Sequence, residues 1–173
     1  KHATVPPLRK TWGAVGDCCI LGPIHPLTPP KGSLHMAERG YIVIADITGY
    51  TAYLSGSELD HAQDSLRSLL ELLVHDTRPP LVISRLQGDA VISYAPSGSF
   101  LQGQTLIELL ENCYVAFRQA RELMQLNTTC TCNACRNIPN LDLKFLVHFG
   151  TYVLQDMLTY KEMVGSDVNL AHR

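Results

Sequence analysis

Residues 40–51, Gly-Tyr-Ile-Val-Ile-Ala-Asp-Ile-Thr-Gly-Tyr-Thr, constrain this chain more than any other stretch. Tyr41–Ala45 is an unbroken apolar and β-branched run, the pattern of a strand covered on both faces. It delivers one carboxylate, Asp46, into the turn Thr48-Gly49-Tyr50. An aspartate there is costly unless something positive meets it, and a bound cation is one such partner. The competing reading is an aspartate that caps a helix starting near Ser55.

A second carboxylate shifts the balance. Gly88-Asp89 lies between the apolar runs Leu81-Val82-Ile83 and Ala90-Val91-Ile92, which predicts a β-hairpin. If the hairpin sits beside the first strand, Asp46 and Asp89 face each other. Two such carboxylates repel unless cations bridge them, and aspartates on neighbouring strand ends are the protein half of many two-metal phosphoryl-transfer sites. The alternative for Asp89 is a turn residue with no chemistry.

The rest of the chain is read around these two strands. Ser55-Gly56-Ser57-Glu58 is expected to open a helix to about His75, with Leu59, Ala62, Leu66, Leu69, Leu70 and Leu73 as its core face, ended before Pro79-Pro80. Thr105 and Glu108 fit a capping box ahead of a helix whose apolar face is Leu106, Leu110, Cys113, Phe117, Ala120 and Met124. Cys113 reads as a buried thiol. Asp142–Phe149 predicts a strand, and Thr151–Leu154 either continues it or starts a return. Another short strand falls at Tyr160–Val164, and a helix begins at Ser166 or Asp167. The order β-α-(α)-β-β-α-β-β-α implies an α+β fold, a mainly antiparallel sheet with helices on one face.

Ala45-Asp46-Ile47-Thr48-Gly49-Tyr50-Thr51, Gly88-Asp89 and Val164-Gly165-Ser166-Asp167-Val168-Asn169-Leu170-Ala171-His172-Arg173, in that order, resemble the motifs of class III adenylate/guanylate cyclase catalytic domains. More closely, the chain resembles the cyclase-like bacterial DUF2652 family. The resemblance covers roughly Glu38 to Arg173 and implies a ferredoxin-like palm. It implies that Asp46, Asp89 and the backbone carbonyl of Ile47 hold two Mg²⁺ or Mn²⁺ ions on a nucleoside triphosphate, as an all-oxygen ligand set suits. It assigns Asn169 to the ribose and Arg173 to charge on the phosphorus in flight; the two lie four apart, on one helix face. Base-reading positions fall on Arg85 and Glu162, where adenylate cyclases usually carry Lys and Asp or Thr. These side chains could read adenine or guanine, or simply pair with each other. ATP is favoured as the commoner substrate among such relatives. The resemblance further implies a homodimer, with the metal carboxylates from one chain and the base, Asn and Arg contacts from the other. The implied activity is cyclisation to a 3′,5′-cyclic nucleotide and pyrophosphate; the alternative is an inactive nucleotide-binding or dimerisation module. The family's triphosphate-binding Lys falls beyond the Asn motif.

Cys130, Cys132 and Cys135 form a Cys-x-Cys-x-x-Cys loop that could give zinc three thiolates, with His148, a partner chain or water as fourth ligand; otherwise they are loop thiols open to oxidation. No Gly-x-x-x-x-Gly-Lys-Ser/Thr loop is present, which argues against a P-loop enzyme. Net charge is -2, so nothing points to nucleic acid, and no apolar run is long enough for a bilayer span. The six cysteines do not form a secreted framework, and the protein is expected to be cytoplasmic. Residues 1–35, rich in proline and bearing Cys18-Cys19, are expected to be a disordered leader or non-native segment. Residues 38–173 are expected to form the cyclase-like domain, truncated at its C-terminus.

Overall fold

The structure, a computed structural model, describes residues 36–100, 103–157 and 160–171. The leader expected at 1–35 lies outside the described residues. Five strands form one sheet: β1 (Ala37–Thr48), β2 (Val82–Gln87), β3 (Ala90–Pro96), β4 (Asp142–Met157) and β5 (Tyr160–Val164). Their order is β2-β3-β1-β4-β5, and every pairing is antiparallel. Removing β5 leaves the split βαβ order of a ferredoxin-like palm, in which β3 lies between β1 and β2.

The central strand shows why. Along β1, Val43, Ala45 and Ile47 alternate with Ile42 and Ile44, and all five are at most 3% exposed. With a side-chain period of two, the first set joins the cores under α1 (Tyr50–Ser55), α2 (Leu59–Asp76) and α3 (Gly103–Asn127). The second set joins Ala90, Ile92, Tyr94, Tyr152, Met163 and Val168 on the opposite face, where α5 (Ser166–Ala171) packs. The strand is thus covered on both sides, as its unbroken apolar run requires.

The helix expected to open at Ser55 starts later, and α1 precedes it. Gly49, at φ 89°, precedes α1, and Gly56 ends it, its N–H donating to Ala52 O at 3.2 Å. α2 begins only at Leu59, which is exposed, so the core stripe starts at Ala62 and continues through Leu66, Leu69 and Leu73. Thr77, whose hydroxyl donates to Leu73 O at 2.7 Å, closes α2 ahead of a cis Pro79-Pro80 bond. α3 is already helical at Gly103, so Thr105 lies inside the helix and is no cap. The run at Thr151–Leu154 continues the preceding strand into one 16-residue β4. Between α3 and β4, the cysteine loop carries a short α4 (Asn133–Asn137) and a 3₁₀ turn at Ile138–Asn140.

The outer strands do not diverge. β2 carries an irregularity between Ile83 and Arg85, and the intervening Ser84 reaches β5: its hydroxyl donates to Lys161 O and accepts from Met163 N–H, both at 3.2 Å. Such an extra residue twists a strand and re-aims its side chains.

Candidate active site

β1 and the β2–β3 hairpin bring the two aspartates together. Asp46 pairs in register with Ala90 on one side and Lys144 on the other. It shares the parity of Ile42 and Ile44, and so lies on the sheet face turned away from α2 and α3. Asp89 is the second residue of a two-residue turn closed by Gln87 and Ala90. Gly88, the first, has φ 62°, which such hairpin turns require and glycine supplies without strain. The Ile47 N–H donates to the Asp89 carbonyl oxygen at 3.2 Å, extending the ladder past Ala90 and fixing the turn over the end of β1.

Burial raises the Asp89 carboxyl above the usual aspartate value, and the negative charge of Asp46 raises it further, against opposing help from its own N–H and from Lys144. Lys144 Nζ stands 3.5 Å from Asp46 Oδ2 and is more than half exposed. One solvated ammonium beside two carboxylates leaves net negative charge, the condition a divalent cation would relieve. The helix-cap reading of Asp46 does not hold: Gly49 is the N-cap of α1, with no side-chain cap bond.

Arg85 and Glu162 meet across the contact between β2 and β5, where their side chains form an ion pair. Both are partly exposed, so the paired groups still present N–H and carboxylate edges to solvent. Ser84 positions the pair by holding β2 against β5 one residue away on each strand. No sequence signal marked Ser84, because its role depends on an irregularity that appears only when two non-neighbouring strands touch.

Asn169 is exposed on α5, and Arg173 lies outside the described residues. The structure explains how α5 is held. Asp167 Oδ2 accepts from the Thr151 N–H at 2.7 Å, and the Asp167 side chain lies flat on Gly150. A Cβ at Gly150 would stand 2.4 Å from Asp167 Oδ2. Val168, buried, completes the anchor from the neighbouring position.

Cys130, Cys132 and Cys135 converge on a histidine, but not on His148. His148 lies in β4, paired with Ile42. The histidine is His61, in the first turns of α2, and the four ligand atoms lie within 4.8 Å of one another. Sequence reading passed over His61 because it is 69 residues upstream of the loop, with no local spacing to announce it. Cys113 is buried as expected, and burial pushes its thiol up to about 12, so it stays protonated and inert.

The chain is similar to the solved adenylyl cyclase CyaB from P. aeruginosa, at 15% identity over 80% of this chain and 71% of that one, with a TM-score of 0.56. It is also similar to a class III adenylyl cyclase-like ATP-binding protein from Pseudomonas aeruginosa, at 17% identity over 79% of this chain and 30% of that one, with a TM-score of 0.63. The fold is therefore the palm of class III nucleotidyl cyclase catalytic domains. Residues 66–173 match the family described as "Protein of unknown function (DUF2652)", and the chain belongs to that family. It is 30% identical over 108 residues to the uncharacterized protein Rv2561/Rv2562 of Mycobacterium tuberculosis, covering 62% of this chain and 50% of that protein. The chain thus spans about half the length of that relative. No helix among the described residues is long and apolar enough to cross a membrane.

Proposed function

We propose that the protein is a class III-type nucleotidyl cyclase, acting on a nucleoside triphosphate at a homodimer interface. One observation carries the reading: on a cyclase palm, the end of β1 and the β2–β3 turn bring Asp46 and Asp89 together, close enough for the Asp46 charge to act on Asp89. Asp46, Asp89 and the Ile47 carbonyl are the groups that would hold Mg²⁺ or Mn²⁺. When bound, these ions neutralise the triphosphate and acidify the ribose 3′-hydroxyl.

The chain's own residues supply the rest. Arg85 and Glu162 offer a donor and an acceptor edge to the base, with ATP favoured. Asn169 orients the ribose so that its 3′-oxygen meets the α-phosphate in line, and Arg173 offsets charge developing on the phosphoryl oxygens. Asn169 stands on α5, a different element from the hairpin turn, and in this reading one complete site draws on two copies, with the carboxylates from one and Asn169 from the other. Apolar side chains left exposed on β4 and β5, among them Val147, Phe149 and Val164, give a second copy surface to cover.

A second reading has its own support. Arg85 and Glu162 already satisfy one another, and one structural neighbour is described as an ATP-binding protein that is cyclase-like. In that reading the protein binds nucleotide without turning it over. Pyrophosphate release with Mn²⁺ and ATP or GTP separates the two. The cyclase reading expects turnover that falls at least ~100-fold in both Asp46→Ala and Asp89→Ala, the scale of losing a group that acts only in the transition state. Turnover that survives either substitution, or tight nucleotide binding with no pyrophosphate, rejects it.

A further inference from the structure

We infer that His61, Cys130, Cys132 and Cys135 form a zinc site that holds the cysteine loop against the start of α2. It stands apart from the nucleotide chemistry. α2 packs on the Ala45/Ile47 face of the sheet, whereas Asp46 lies on the other.

The four ligand atoms are grouped closely enough to share one ion, all within 4.8 Å of one another. His61 Nδ1 lies 3.2 Å from Cys132 Sγ, 3.6 Å from Cys130 Sγ and 3.8 Å from Cys135 Sγ. A zinc ion bound at about 2.3 Å to sulfur and about 2.0–2.1 Å to nitrogen sets each nitrogen–sulfur edge at about 3.6 Å. The three separations bracket that edge. Three thiolates and one imidazole are a closed structural zinc set, with no position left for water or substrate, and soft sulfur donors disfavour Mg²⁺ and Ca²⁺.

The surroundings support a metal rather than loose thiols. Cys132 N-caps α4, and its sulfur accepts the Cys135 N–H at 3.4 Å, so the Cys-x-x-Cys turn folds back on its own first ligand. Backbone donors of this kind orient a thiolate and partly neutralise it. Glu58, three residues before His61, accepts the Ala134 N–H at 3.1 Å and ties the loop to α2 a second time. Ala134 is fully buried among Tyr53, Ala62 and Leu66. The loop is therefore placed by packing and hydrogen bonds, with its three sulfurs turned to one histidine. All three cysteines are free in the structure.

The metal would add a third tie to these, joining α2 to the segment that leads into β4. The 3₁₀ turn of that segment is where a side chain at Gly49 would collide, 2.8 Å from Asn140 O. The zinc lobe thus buttresses the turn that follows Asp46.

Elemental analysis and competition with a chromophoric zinc chelator test this on the 173-residue chain. The parent is a Cys18→Ser/Cys19→Ser/Cys113→Ser variant, which leaves only the three loop thiols. It is expected to carry about one zinc per chain, as one closed four-ligand site holds one ion. Cys132→Ser is expected to lose the metal, and His61→Ala to hold it at least ~100-fold more weakly, since even outer-shell partners cost 10–100-fold. His61→Cys restores four strong ligands and is expected to retain zinc. With Co²⁺ in place of zinc it should show tetrahedral bands shifted by the added thiolate. That variant keeps the test decisive if Cys132→Ser fails to fold. A reduced parent chain with three titratable thiols that takes up no zinc overturns the assignment. So does zinc held equally well by His61→Ala, or a disulfide among the loop cysteines in protein purified without oxidant.

Discussion

Asp89 holds its proton more tightly than an exposed aspartate because it is partly buried and faces Asp46. A carboxyl whose folded pKa lies above its unfolded value binds more protons when folded. In the metal-free protein, its contribution to stability is therefore present at acid pH and is lost as pH rises through the folded value. Above that value the charge on Asp89 is a strain that a cation relieves. Asp89→Asn removes the charge and keeps the shape, so the metal-free protein is expected to melt higher than wild type at pH 7. The gap should shrink as pH falls below the raised value. The same variant should lose the Tm increase that Mn²⁺ gives the wild type, since binding only to the folded state is what raises Tm. Thermal melts with and without Mn²⁺ across pH check both arms. A variant that melts lower without metal and keeps the Mn²⁺ shift would remove Asp89 from the cation site. This is the exchange of stability for function expected where like charges are gathered for a ligand.

Among the elements, α5 shows how a six-residue helix is kept in place. It is too short to persist on its own propensity, and its position rests on Val168 in the core and on Asp167 over Gly150. Gly150→Ala would drive a methyl group into the Asp167 carboxylate, and Asp167→Ala would release the Thr151 N–H. Each is expected to cost about 1–3 kcal/mol. Because both act on one contact, the double variant should cost little more than the worse single, a coupling that denaturant melts of the cycle would read. Additive losses would mean that Gly150 and Asp167 act independently. Turnover should fall with either, since Asn169 rides on the same helix. The glycine at 150 carried no sequence signal: its partner is a side chain from a helix 17 residues on, and only the fold brings them together.

At the scale of the molecule, the strands and the alternation of β1 were legible because burial on two faces writes an unbroken apolar run. The hairpin was legible because Gly88-Asp89 is its own turn signal. The start of α2 was not, since Leu59 mimics the helical stripe while standing in solvent. The same limit hid His61, Lys144 and Ser84, whose neighbours come from remote strands and loops. Charge and motif order pointed to Asp46 and Asp89; the partners that tune them required the fold. The dimer proposed above makes a further demand on the whole assembly. Asp46→Ala chains and Asn169→Ala chains should each be inactive alone. Mixed after subunit exchange, they should recover up to about a quarter of wild-type turnover, because half the dimers then hold one intact site of two. No recovery, with exchange demonstrated, would place all the groups of a site in one chain.

The central claim is that Asp46 and Asp89 jointly hold divalent cations at one edge of the sheet. Calorimetric titration of Mn²⁺ into the protein with a non-hydrolysable ATP analogue measures it most directly. Binding to the wild type that weakens at least ~100-fold in both Asp46→Ala and Asp89→Ala is the expected result, given two first-shell carboxylates sharing the ions. Mn²⁺ affinity unchanged by either substitution would contradict it.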